Sequence, residues 1–127
     1  MAFLWIAIGS ALGGVARFWI SGLVARRFGE TFPWGTILVN ITGCFLIGFI
    51  NTLTDVNGRV AVHPYGRQFA MIGVLGGYTT FSSFSLQTLN LMRDGEWLFA
   101  AGNVMVSVVC CLAGVWLGHV CAHMLNR

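Results

Sequence analysis

Four stretches of the chain, 2–25, 33–53, 68–92 and 97–123, carry one formal charge between them, that of Arg17. Each is close to the ~20 residues that a helix needs to cross the hydrocarbon core of a bilayer. Only 9% of the 127 residues are charged and 57% are hydrophobic, against ~25% charged in an ordinary soluble domain. So few charges cannot cover the surface of a water-soluble globule of this size. The expected fold is therefore an all-α integral membrane protein with four transmembrane helices forming a single domain over residues 1–127, its apolar faces turned to membrane lipid. The N-terminal run lacks a basic leader and resembles the later runs, so the first segment is expected to stay in the mature protein.

The connections are ARRFGETF, the longer TDVNGRVAVHPYGR and the short RDGEW. Pro33 opens the second span, where its missing N–H costs nothing, and Gly95 occupies the last turn. There is no lysine and no basic cluster beyond Arg26-Arg27, so nucleic acid is excluded as a partner. The four cysteines, Cys44, Cys110, Cys111 and Cys121, all lie in apolar stretches. They read as small buried hydrophobes, with neither a disulfide framework nor a zinc site among them.

Orientation should follow arginine placement. Arg59, Arg67 and Arg127 fall on one face of the membrane, and Arg26, Arg27 and Arg93 on the other. The balance favours a chain that inserts both ways round and pairs with an opposed copy; finer features near the helix ends are the simpler account. Two-fold pairing is also the commonest way to enlarge a small chain. Gly9/Gly13, Ser10/Gly14 and Gly114/Gly118 permit close helix contact, more often within one chain than between chains.

Polar residues inside the spans carry the functional reading. Arg17 lies about 13 Å of helix rise from Arg26, with no acid in any span to neutralise it. It suggests a watery vestibule of positive potential; snorkelling, or binding to backbone carbonyls, is the plainer account. Asn40 sits mid-span in GTILVNITG, and Asn103 and Ser107 share a face at i, i+4, continued by Cys111. Taken singly, each of these could be an interhelical hydrogen bond. The third span, MIGVLGGYTTFSSFSLQTLNLM, is the most informative. Its poor helix formers predict a break at Gly76–Thr80, tolerable at membrane depth only against protein or a cavity. Beyond it Phe81, Phe84, Ser85 and Thr88 recur at i, i+3, i+4, i+7 on one helical face, flanked by Ser82. Hydroxyls, an amide and the positive edges of phenyl rings suit a small dehydrated anion.

GGYTTFSSFS, with PWGTILVNITG and GGVARFW, strongly resembles the Fluc (CrcB) family of fluoride channels, in order and over essentially the whole chain. The resemblance implies a passive fluoride channel in a bacterial inner membrane, built as an antiparallel, dual-topology homodimer with two pathways, and not an enzyme. Such channels release fluoride trapped in the cell by ionisation. By similarity Phe81 and Phe84 meet the ion with their edges, Asn40 donates to it, and Ser82 and Ser85 belong to the adjoining polar track, with Thr88 and Ser107 alongside. Gly76 and Thr79 would offer backbone carbonyls to a structural sodium ion (Na+) at the dimer interface, and Arg17 would hold the vestibule. Cys111 falls where relatives often carry serine, a stronger donor. The rival readings are a proton-coupled exporter of similar size, which needs an acid within the membrane, and an accessory subunit whose polar residues only glue helices. His119 and His123 could titrate near the end of the last helix, but read more simply as interfacial. No residue set for a membrane enzyme is present.

Overall fold

The computed structural model describes residues 1–127, and all of its regular elements are helical. Helix α1 runs Ala2–Phe28 and α2 Trp34–Leu53. The third span is composite: α3 (Pro64–Gln68), a π-helical stretch Phe69–Leu75, and α4 (Gly76–Tyr78) lead to α5 (Phe81–Arg93). Helix α6 covers Trp97–Asn126. Four helical segments, counting the third as Pro64–Arg93, are long and apolar enough to cross a membrane.

Several helices overrun the apolar stretches, because intrahelical hydrogen bonding continues past them: α1 through Arg26-Arg27-Phe28, the third span from Pro64, and α6 through Met124-Leu125-Asn126. Turns stop them. Gly29 and Gly95 take positive φ (81° and 77°), a conformation that glycine adopts without a Cβ penalty. Arg59 closes the other end, donating from its guanidinium to Leu125 O (2.9 Å) and from its backbone N–H to Asn126 Oδ1 (2.9 Å). There a cation meets the negative end of α6.

Only 21 of 127 residues are buried, so the tertiary contacts depend on backbones approaching closely rather than on a thick side-chain core. Helix α2 packs most extensively on α6, and α1 on the π-helical stretch and α4. Glycines make both contacts. A Cβ on Gly9 would come 2.7 Å from Phe69 O, and one on Gly77 2.5 Å from Ser10 O. Gly13 presses on the backbone of Val74, Gly118 on that of Phe45, and Gly48 on that of Val115. The pairs Gly9/Gly13 and Gly114/Gly118 thus serve contacts within the chain. In the pair Ser10/Gly14 only Ser10 meets a neighbour; Gly14 faces open space.

Gly118→Ala should therefore destabilise the fold by about 1–3 kcal/mol, the usual cost of overpacking. Gly102→Ala, which meets nothing within 4 Å, should be neutral to stabilising by up to ~1 kcal/mol, since alanine favours a helix interior. Thermal midpoints in detergent compare the two directly.

Candidate functional site

The site begins where helical bonding lapses. Gly76, Gly77 and Tyr78 are still helical, whereas Thr79 (φ −82°, ψ 156°) and Thr80 (φ −153°, ψ 119°) are extended. The interruption is thus narrower than the composition of the segment suggests. Gly77 is needed for contact with α1 and tolerates helical geometry, while the two β-branched threonines suit extended backbone.

An extended residue in a low-dielectric span leaves its amide groups without helical partners, at a cost of several kcal/mol each. Asn40 on α2 resolves this. Thr80 N–H donates to Asn40 Oδ1 (2.8 Å), and Asn40 Nδ2 donates back to Thr80 O (3.0 Å), both bonds buried. One side-chain amide behaves as a one-residue strand partner for the interrupted backbone. The Thr80 hydroxyl then caps α5, accepting from Ser83 N–H (3.1 Å) and pairing with Ser82 Oγ (3.2 Å). The positive end of the α5 dipole consequently points at the break. From the other side Thr42 Oγ1 pairs with the Tyr78 hydroxyl (2.9 Å), and Gly43 leaves just enough room for the Thr79 methyl.

Beside the break lies a partly open cavity of about 330 Å³. Asn40, Cys44, Thr79, Thr80, Phe81, Phe84, Ser107, Val108, Cys111 and Leu112 line it. The rings of Phe81 and Phe84 are 5.3 Å apart at 52°. Phe84 is 8% exposed, but Phe81 is 76% exposed, so one ring is seated in the chain and the other faces away from it.

A polar ladder fixes the α6 wall. Ser107 Oγ donates to Asn103 Oδ1 (3.3 Å), Asn103 Nδ2 to Thr88 Oγ1 (2.9 Å), and Thr88 Oγ1 to Phe84 O (2.8 Å). Asn103 is 1% exposed. It is the joint of this ladder, a positioning part that spacing alone did not mark out from Ser107.

The structure thus gathers Asn40, Thr79, Phe81, Phe84 and Ser107 around one cavity and sets other candidates beside it. Ser85 and Thr88 turn their hydroxyls back onto the carbonyls of Phe81 (3.0 Å) and Phe84 (2.8 Å). Ser82 is spent on the cap. Gly76 is exposed, one turn before Thr80, and a Cβ there would find only Met71 O, 3.9 Å away. Arg17 is half-buried on α1, a turn from Ser21, whose hydroxyl donates to Arg17 O (2.7 Å).

A larger space of about 600 Å³ opens at the end of the bundle where α1, α2 and α5 diverge. Glu30, Asp94 and Glu96 stand at it, and Gln87 projects a buried Oε1 that finds no hydrogen-bond partner. Carboxylates on the rim make it a poorer seat for an anion than the cavity at the break. Size alone does not identify the site.

The sequence matches the family model described as CrcB-like protein, Camphor Resistance (CrcB), over residues 4–119. Curated relatives agree in name. A "Fluoride-specific ion channel FluC" from Methylocella silvestris is 61% identical over 127 residues, covering 100% of this chain and 97% of the relative. One of the same name from Opitutus terrae is 63% identical over 124 residues, covering 98% and 94%. A third, from Rhodospirillum rubrum, is 56% identical over 127 residues, covering 100% and 98%.

Proposed function

The chain belongs to the CrcB-like family, and from that premise we infer that it is a passive, fluoride-selective channel of a bacterial inner membrane, releasing fluoride trapped in the cell by ionisation. The observation that carries this reading is the cavity at the Thr79–Thr80 break, in a chain whose full-length relatives bear the name of fluoride channels. Its lining combines an amide, hydroxyls and phenyl rings, without a carboxylate. Fluoride is small and strongly hydrated, so a dry path must replace water contacts with several weak ones and still release the ion. The remaining Nδ2 hydrogen of Asn40 and the ring edges are such contacts, and the Ser107 hydroxyl joins them only by releasing its hydrogen from Asn103.

One chain does not enclose the path. The cavity is partly open and Phe81 is exposed, an arrangement completed when a second copy packs over it. The equal arginine count on the two membrane faces, three against three, suits an antiparallel partner, so the functional unit is a dual-topology homodimer. The same face accounts for the sodium site. In an uninterrupted helix Gly76 O would accept from Thr80 N–H, but that donor is committed to Asn40. The freed Gly76 carbonyl and the extended Thr79 suit a hard cation. Two carbonyls from one chain are an incomplete shell, and a two-fold partner contributes the same two. Sodium there would offset the negative carbonyl ends of the helical stretches that stop at Tyr78. Arg17, with no acid in any span, supplies the positive vestibule.

The proton-coupled exporter is disfavoured because every carboxylate of the chain lies in a connection: Glu30, Asp55, Asp94 and Glu96. A driving-force experiment separates the two. Liposomes loaded with potassium fluoride should release it only when a potassium ionophore balances the charge, and an imposed pH gradient should not substitute for that ionophore. Release that follows the pH gradient and ignores membrane voltage would establish coupled export.

A further inference from the structure

Two thiols stand in the lining of the cavity at the break. Cys44 on α2 and Cys111 on α6 both face it, from the two helices that pack most extensively on each other. Both are free and partly exposed. The helices carrying them are held backbone to backbone by Gly48 and Gly118, so the separation of the sulfurs is set by the fold rather than by flexible loops.

We propose that Cys44 and Cys111 form a binding site for a soft, two-coordinate divalent cation, and that its occupation closes the ion path; the closure rests on reading this cavity as that path. Two sulfurs cannot complete the tetrahedral shell of zinc, and no group of three or more metal-ligating side chains exists in the chain. Soft cations prefer thiolate to every other donor in the lining. The reaction needs no oxidant. Each S–H bond breaks, each sulfur lone pair forms one S–metal bond, and two protons leave to water. A divalent cation between two thiolates is electrically neutral, which suits a low-dielectric site. A monovalent soft cation would leave a net negative charge and is the poorer occupant. The bound ion lies against Phe84, Ser107 and Asn40, narrowing the cavity where fluoride must pass.

Hg²⁺ is the probe. In a Cys110→Ser/Cys121→Ser background only the pair remains, and one Hg²⁺ per chain should bind, followed by thiolate-to-metal absorbance against a competing monothiol. Adding Cys44→Ser or Cys111→Ser should weaken that binding at least a hundredfold, while size-exclusion profiles report whether each variant stays folded. In liposomes the background protein should lose at least nine-tenths of its fluoride efflux at one equivalent, and dithiothreitol should restore it. Equal affinity in either single-thiol variant overturns the site. Undiminished efflux from the saturated protein overturns the closure. Should the metal-free protein pass no fluoride, the channel reading fails, and the affinity comparison still decides whether the pair is a site.

Discussion

Asn40→Asp should cut fluoride efflux at least about a hundredfold, equivalent to roughly 2.7 kcal/mol, while the chain stays folded. The carboxylate keeps the acceptor for Thr80 N–H and loses the donor to Thr80 O, so the break retains half of its clamp. It also puts a negative charge into the lining of an anion path. At ~4 Å separation and an effective dielectric near 20, that repulsion is ~4 kcal/mol, larger than the loss of one hydrogen bond at ~1 kcal/mol. Electrostatics therefore dominates. Asn40→Ala removes both bonds and orphans two buried backbone groups at ~1–3 kcal/mol each, so it should lower thermal stability as well as flux. An electrode trace of fluoride efflux, beside size-exclusion profiles of both variants, distinguishes the two effects. If Asn40→Asp conducts as the parent does, Asn40 serves the fold alone.

Phe81→Leu should reduce efflux by at least about tenfold, or ~1.4 kcal/mol in the barrier, with little effect on the fold of a single chain. The ring is 76% exposed, so its removal forfeits little burial within the chain, and leucine keeps an apolar surface for a partner. What is lost is the positive ring edge and the pairing with Phe84 at 5.3 Å. Were the residue only glue between copies, the same change would weaken association and leave the flux of intact dimers alone. Cross-linking and efflux measured on one preparation separate these outcomes.

The spans were legible because a bilayer imposes a length and forbids charge, and both constraints appear directly in the order of residues. Their ends were not, since helical hydrogen bonding continues past the apolar residues, as at Arg26–Phe28 and Met124–Asn126. Glycine was ambiguous for a physical reason. The absent Cβ that weakens a helix also allows close approach, so Gly77 signalled a break yet serves contact with Ser10, and the extended residues are Thr79 and Thr80. The polar residues themselves stood out because lipid makes them costly, but their partners did not. Asn40 meets the backbone of Thr80, 40 positions away, and no local pattern encodes that pairing. The same holds for Asn103, which joins Thr88 to Ser107, and for Cys44 and Cys111, which line one cavity. Tertiary packing decides which mid-span polar groups face one another.

Selectivity tests the central claim most directly. Purified protein in liposomes loaded with equal fluoride and chloride, with a potassium ionophore present, should release fluoride within the first sampling interval and retain chloride at the level of protein-free vesicles. Fluoride retained at that same level, or the two halides leaving together, would contradict it.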